Sequence, residues 1–382
     1  MRTVAIIGTG FVADLYAASL RTFPDIQVVA CYDKDAERLQ RFCAHWQLPA
    51  VDSIDAVLTG PATLVLNLTN PHAHFEVSRQ LLEAGKHVYS EKPLSMRMED
   101  AVVLHALAKA RGLQIASAPC SLLSEAAQTL RLAVEQGRIG VPKLVYAELD
   151  DDYISQAPLT KWKSESGTPW PIEDELVVGC TLEHAGYYLT WLMAMFGPVR
   201  TTVSASAGLA DVSGLTSAET APDYSSATLF FESGVVARLT CSILAPHDHR
   251  IRVIGDRGVA SVTESWDNRA AVKVRTRHVI RRRMINSPIA RKVPSPAFTR
   301  HPAVKRRGAA SMNFMLGPAE MLDAIAAGRE ARQAGDFALH LTEVSLAIQS
   351  AGENTGAQHM TTRFTPSPVT HWAGQRTSVQ ES

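Results

Sequence analysis

The sequence predicts an α/β protein in two parts: a doubly wound parallel sheet, then a second α/β unit on an open antiparallel sheet. Three observations carry this. Short apolar runs alternate with helical patterns over the first third of the chain, the order that a parallel sheet with helical crossovers requires. A glycine-rich turn joins the first run to the first helical pattern. After about residue 140 the runs lengthen and alternate apolar with polar residues, as in ARLTCSI at 237–243, the pattern of strands with one solvated or partner-covered face. A chain of 382 residues, 46% of them apolar, suits two domains with sizeable cores.

In the first part, strands are expected at 3–8, 27–33, 64–69, 87–90 and 114–118, with helices at 12–22, 36–46, 74–84 and 98–110. Runs such as LVLNL are nearly continuous in apolar residues, as when helices cover both faces of a sheet. In the second part, strand-like stretches fall at 144–150, 199–207, 225–231, 235–244 and 250–263, punctuated by turn signals such as ESG and GDRG. A helix at 180–196 precedes most of them, and helices at 317–327 and 336–350 follow. The expected boundaries are 1–122, 123–364 and a polar, frayed tail at 365–382.

The 38 Lys and Arg balance the 38 Asp and Glu, which argues against a nucleic-acid partner. The apolar stretch 186–196 falls far short of the roughly 20 residues that span a bilayer, so no membrane role is expected. Five scattered cysteines form no CxxC and no zinc pattern. With no secretory pattern at the start, they fit reduced thiols in a cytoplasmic protein, and no metal site is expected.

Gly8-Thr9-Gly10-Phe11-Val12-Ala13 is a G-x-G-x-x-A turn between a strand and a helix. The first glycine permits the tight turn, the second lets a pyrophosphate approach the backbone, and Ala13 lets helix and strand pack closely. The helix N-terminus offers free N–H groups to phosphate. Asp33 ends the second strand, 20 residues after Ala13, where a carboxylate binds a ribose 2′-hydroxyl and repels a 2′-phosphate. Context and acid together make this a Rossmann dinucleotide site that favours NAD, while Lys34 and Arg38 nearby keep NADP open.

Further on stands Ala84-Gly85-Lys86-His87-Val88-Tyr89-Ser90-Glu91-Lys92-Pro93, and before it Leu68-Thr69-Asn70-Pro71-His72-Ala73-His74. The first resembles the AGKHV…EKP signature of the Gfo/Idh/MocA family of NAD(P)-dependent oxidoreductases. The second resembles that family's T-P-N-x-x-H loop with Asn and Pro exchanged. The resemblance runs to about residue 355. It implies a Rossmann domain followed by an α/β domain on an open, mostly antiparallel sheet. It adds Thr69, Asn70, His74 and Glu91 to the cofactor site, and it implies that Lys92 sits beside both the nicotinamide and the reacting carbinol. Partial burial or the cationic nicotinamide would lower the Lys92 pKa and suit it to proton exchange.

The family's second helix, G-x-x-x-D-x-G-x-H-x-x-D, is matched by Gly179 to Thr190. Glu183 takes the aspartate position, Tyr187 the histidine position and Thr190 the second aspartate. The glycine is displaced by one residue, to Gly186, and His184 is extra. Glu183 and Tyr187 are four apart and share a helix face. The resemblance implies Lys92 and Tyr187 as the acid–base pair, with the Tyr187 pKa lowered by a nearby cation. Glu183 would bind a substrate hydroxyl. His184 is the rival for the acid–base role, or else a structural histidine.

The 153–175 loop carries Lys161, Trp162, Lys163 and Trp170. Trp162 and Lys163 are candidates for stacking on a sugar and meeting an anion; equally, the loop could be packed by its own tryptophans. Residues 269–307 hold 13 of the 38 basic residues and no acid. That segment is open to four readings: a solvated loop, a partner for acids such as Asp150–Asp152 on another subunit, a site for a nucleotide-sugar diphosphate, or, least favoured, nucleic-acid or membrane binding.

The sequence thus reads as an NAD-dependent oxidoreductase acting on a secondary alcohol or ketone of a sugar, sugar derivative or nucleotide sugar. The resemblance implies a homodimer or homotetramer. A redox-neutral NAD-dependent glycosidase or epimerase, and a non-catalytic cofactor-binding sensor, stand as alternatives.

Overall fold

The computed structural model describes residues 2–216, 218–304 and 306–368. In the first part, chain order gives β1 (Arg2–Ile7), α1 (Phe11–Leu20), β2 (Ile26–Tyr32), α2 (Ala36–Trp46), α3 (Ile54–Thr59), β3 (Leu64–Asn67), α4 (His74–Glu83), β4 (His87–Ser90), α5 (Met98–Ala110) and β5 (Ile115–Ser117). The five strands are all parallel, in the order β2-β1-β3-β4-β5. Val4, Ala5, Leu64, Val65, Val88 and Tyr89 are fully buried on both faces of this sheet, which is why its strands are written as unbroken apolar runs. The short α3 was not expected; Ser53 caps it by accepting from the Ala56 N–H.

The second part contains α6 (Glu125–Glu135), β6 (Pro142–Asp150), α7 (Ile172–Val178), α8 (Gly186–Phe196), β7 (Val199–Ala207), β8 (Tyr224–Phe231), β9 (Val236–Ser242), β10 (Ile251–Gly255), β11 (Gly258–Val262), β12 (Lys273–Ile280), β13 (Arg283–Asn286), β14 (Arg291–Lys292), α9 (Leu316–Ala326), α10 (Asp336–Gln349) and β15 (Ala357–His359). Its sheet runs β13-β12-β11-β10-β6-β9-β8-β7-β15, with β14 beside β12. Every pairing is antiparallel except β6 with β9. Alternation is clean in β8, where Ser225, Ala227, Leu229 and Phe231 are buried.

Three expectations need correcting. The stretch 250–263 is two strands, β10 and β11, turning at Asp256 and Arg257. The basic segment is not a loop throughout: its first half forms the antiparallel β12–β13 hairpin and β14. Nor are Asp150 and Asp151 a free acidic surface. Asp150 accepts from the Ser242 hydroxyl at 2.8 Å, and Asp151 lies 3.6 Å from the His184 ring.

The tail from 365 starts pinned, because Arg131 donates to the Ser367 carbonyl; residues 369–382, like Lys305 of the basic segment, lie outside the described residues. Helix α9 crosses back to pack on β3, with Gly317 against the Tyr89 ring. Helix α10 packs against both α5 and α8, so the end of the chain ties the two sheets together.

Candidate active site

The first glycine turn is built as the sequence requires. Gly8 has φ +91°, and a Cβ there would lie 2.5 Å from the Leu68 carbonyl group, so no other residue fits. Around Gly10 a Cβ would meet nothing within 4 Å. That open space lies over the start of α1, whose N-cap Gly10 offers no side chain to the helix N–H groups and leaves them for a phosphate. Phe11 and Val12 begin the helix half-buried, and Ala13 is fully buried.

Asp33 stands just past β2. It accepts from the Thr9 N–H (2.7 Å) and the Asp35 N–H (2.9 Å), and from Arg38 through Nε (3.0 Å) and Nη2 (2.6 Å). Burial pushes its pKa up, but the Arg38 fork and the two N–H donors outweigh burial and the net shift is down. The carboxylate is therefore charged at neutral pH. These residues fit a dinucleotide: an open turn for the diphosphate and an anion for the ribose hydroxyls.

His74 is placed differently from the expectation. It is fully buried, with Nδ1 2.6 Å from the Pro93 carbonyl and Nε2 3.0 Å from the Thr69 carbonyl. Its ring is enclosed by carbonyls of the two loops, so His74 positions the site rather than reaching into it. Thr69 bonds the Asn67 side chain at 2.7 Å. Exposed Asn70 accepts from the His72 N–H and caps the turn Pro71–Ala73.

At the carboxyl ends of β4 and β5 lies a cleft lined by Tyr16, Glu91, Lys92, Tyr187, Asn268 and Asn313, among others. Glu91 accepts from the Tyr16 hydroxyl (2.7 Å) and from the Lys92 N–H (3.0 Å), an orienting role. The Lys92 ammonium makes an ion pair with Glu183, and its side chain keeps 21% of its exposure. Burial alone would lower the Lys92 pKa. The negative charge of Glu183, with Tyr187, Glu91 and Glu175, overrides it, and the net shift is up. The net direction is opposite to the lowering expected from burial.

Burial likewise raises the Tyr187 pKa, and Lys92 only partly opposes it. Tyr187 is therefore a phenol at neutral pH, not an activated phenolate. Glu183 is pushed up to about 7 by burial, against the pull of Lys92.

The helix carrying these groups starts with a π-helical turn, Thr181–Ala185, before α8. Such turns are frequent at functional sites. This one delivers Glu183 to Lys92. The displaced glycine has a cause as well: a Cβ on Gly186 would lie 2.9 Å from the Pro119 ring, so the helix approaches the β5 loop closely there. Thr190, in the second aspartate position, is buried 3.2 Å from Ser121. His184 sits 2.5 Å from Glu175 and 3.6 Å from Asp151. Burial lowers its pKa, but those two carboxylates win and raise it to about 9. It is a cation clamped between carboxylates and does not line the cleft.

Residues 2–118 match the family model described as "Oxidoreductase family, NAD-binding Rossmann fold", and residues 127–261 match the GFO/IDH/MocA C-terminal domain. The chain belongs to the Gfo/Idh/MocA oxidoreductase family. It is an NAD(P)-dependent oxidoreductase with an NAD-binding Rossmann domain.

Among curated relatives, an uncharacterized oxidoreductase of Synechocystis sp. is 29% identical over 204 residues, 52% of this chain and 52% of the relative. The chain thus spans about half the length of that relative. The trans-1,2-dihydrobenzene-1,2-diol dehydrogenase of Mus musculus is 25% identical over 68% of this chain and 74% of its own. The WlbA dehydrogenase of Bordetella pertussis, solved with NADH and UDP-GlcNAcA, shares the fold with a TM-score of 0.70 at 18% identity, over 94% of this chain and 97% of that one. A 3-ketoreductase of Actinomadura kijaniata, solved with TDP-benzene and NADP, aligns with a TM-score of 0.68 at 18% identity, over 92% and 98%.

In this Gfo/Idh/MocA chain the 153–175 loop is packed by its own tryptophans. Trp162 and Trp170 meet edge-on at 5.2 Å, and Lys163 is exposed. Neither Trp162 nor Lys163 lines the cleft. Instead the loop reaches the Rossmann half, where Ser166 bonds Asp14 on α1 through N–H and hydroxyl at 2.9 and 2.8 Å. Sequence reasoning missed Tyr16, Asn268 and Asn313 in the cleft. Asn268 and Asn313 flank the basic segment, and that adjacency was the available signal. Among the described residues no helix is long and apolar enough to cross a membrane.

Proposed function

We propose that this oxidoreductase interconverts a secondary alcohol and a ketone on a sugar, sugar derivative or nucleotide sugar. The observation that carries the reading is the convergence of Lys92 and Tyr187 on one cleft at the carboxyl ends of β4 and β5, where open α/β sheets bind their ligands. When bound, the nicotinamide supplies the hydride donor or acceptor. The chain supplies the rest. Lys92, held as an ammonium by Glu183, stabilises negative charge on the substrate oxygen. Tyr187, held as a phenol, donates the proton to that oxygen during reduction. In oxidation the same groups run in reverse, and Glu183 is the carboxylate whose pKa lies near neutrality. Asn268 and Asn313 offer amide donors and acceptors to hydroxyl groups.

The nucleotide-sugar branch of the reading draws on two facts. Asn268, just before the basic segment, and Met312–Phe314, a few residues after it, line the cleft. The sugar-nucleotide and TDP ligands belong to the two solved relatives named above and lend it support by likeness of fold. The outer face of the large sheet carries Tyr146 stacked by Arg238 and Arg252, with Val203 exposed. This face suits pairing of two copies, which light scattering or equilibrium sedimentation tests.

The deciding experiment follows absorbance of reduced nicotinamide while the protein and NAD meet free sugars, sugar acids and nucleotide sugars. NADH formed with one class, and lost in Lys92→Ala, is the expected result. No NADH with any class sinks the reading.

A further inference from the structure

A second cluster of chemistry-bearing side chains lies at one end of the large sheet, outside the cleft. The last residue of β6, Asp150, makes an isolated antiparallel bridge with Asp248, and this sets Asp151 beside the segment His247-Asp248-His249. Residues two apart on extended chain face the same way, so His247 and His249 share a side while Asp248 turns to Arg250. One ligand atom from each of Asp151, His247 and His249 falls within 4.8 Å of the other two.

We infer that Asp151, His247 and His249 bind a divalent transition-metal ion. Two imidazoles and one carboxylate form a donor set suited to zinc, cobalt, iron or manganese.

Three details support a built site rather than a chance cluster. First, one acid orients both rings. Glu264, just past β11, bonds His247 Nε2 at 2.9 Å and His249 Nδ1 at 3.0 Å. This is the carboxylate–histidine arrangement that fixes metal-ligating imidazoles from behind. Second, it leaves the opposite nitrogens free to ligate. His249 Nε2 is buried without a partner, on a side chain that is 0% exposed, and a buried polar atom of that kind calls for a ligand. His247 Nδ1 faces Asp151 Oδ1 at 3.9 Å. Ligand atoms each about 2 Å from a metal lie at most about 4 Å apart, so an ion fits between them with small side-chain shifts. Third, the carboxylates that face the two imidazoles are anionic: Glu264 bonds both rings, and Asp151 and Asp152 both lie against His247. An anionic ligand would be repelled there.

Asp151 uses its other oxygen on His184, 3.6 Å away, and the ring of Trp266 closes the side next to His249, with centroids 4.4 Å apart. His247 keeps 35% side-chain exposure. Three protein ligands with one side open to solvent leave a coordination position for water or a substrate oxygen.

The test uses the full chain, freed of metal by chelator and titrated with cobalt and with zinc. The expected result is one cobalt ion per chain with d–d absorption of low-symmetry N/O coordination, displaced by zinc. Glu264→Gln should weaken binding by about 10–100-fold. His247→Ala, at the half-exposed ligand, should abolish the cobalt spectrum while the circular dichroism and melting of the metal-free chain stay as in wild type. Asp151→Asn provides a second ligand variant should His247→Ala fail to fold. Absence of cobalt or zinc binding by the wild-type chain overturns the inference. So does a cobalt spectrum that survives in a folded ligand variant.

Discussion

Replacing Asp33 with serine should reverse the cofactor preference. In the native chain this carboxylate is held charged by the Thr9 and Asp35 N–H groups and the Arg38 fork. A ribose diol gains a charge-assisted hydrogen bond there, worth about 1.5–3 kcal/mol. Its loss should weaken NAD by about 10–150-fold at ~1.4 kcal/mol per decade. For NADP the sign is opposite. A carboxylate about 5 Å from a 2′-phosphate costs about 3 kcal/mol per unit charge at an effective dielectric constant of ~20. The variant removes that cost and frees the Arg38 guanidinium to pair with the phosphate. The ratio of NADP to NAD affinity should therefore shift by about 10³ or more.

Serine also leaves the Thr9 N–H short of its acceptor, at a cost of about 1–3 kcal/mol in stability. That penalty is common to both cofactors and cancels in the ratio. Fluorescence titration with NADH and NADPH on the same folded sample measures it directly. A ratio within about threefold of wild type would mean that Asp33 does not face the ribose, and the cofactor argument would fall.

Other outcomes follow from the cleft. Tyr187→Phe should slow turnover by about 10²–10⁴ and leave the melting temperature near wild type, read by steady-state kinetics and calorimetry. Lys92→Ala should abolish turnover and also destabilise, because it strands Glu183 in a buried site, where breaking a pair costs about 3–5 kcal/mol; adding Glu183→Gln should restore the melting temperature but not the activity. Alcohol oxidation should rise as pH climbs through about 7, where Glu183 ionises, and Glu183→Gln should flatten that limb of the pH–rate profile. His184 is raised to about 9 in the fold. Its contribution to stability is complete below its ordinary value near 6.5 and is lost as pH rises through about 9. Melting temperatures between pH 6 and 10 should fall over that window in wild type and less so in His184→Gln.

Where local sequence decides structure, reading it was sufficient. The helices 36–46 and 98–110 and the strands 87–90 and 199–207 have the ends that the pattern predicts, because caps, turns and periodicity are short-range signals. Asp35, for instance, caps α2 by accepting from the Arg38 N–H. The basic segment defeated the same approach. Its strand β12 pairs with β11, an existing sheet edge, so its hydrogen bonds come from a neighbour rather than from its own composition. Exposed strands with little apolar alternation carry no periodic signal to read. Asp151, His247 and His249 are legible as a set only once the Asp150–Asp248 bridge is known, although the His-x-His spacing itself stood in the sequence.

The charge states of the cleft were misjudged for a related reason. A lysine in a Rossmann site was expected to lose its proton easily, since burial disfavours the ammonium. Burial does act that way on Lys92, but the carboxylate that overrides it comes from Glu183, 91 residues further on. The same lysine then fails to make Tyr187 acidic, since its charge is already compensated by Glu183 and burial of the phenol prevails. The π-helical turn is what makes the compensation. It presents Glu183 to Lys92 and directs His184, one residue on, to Glu175 and Asp151. With the Lys92 ammonium paired to Glu183 and Tyr187 kept as a phenol, the site holds its protons for a substrate oxygen. Under the proposed function, Tyr187 enters carbonyl reduction as a proton donor without a prior ionisation step.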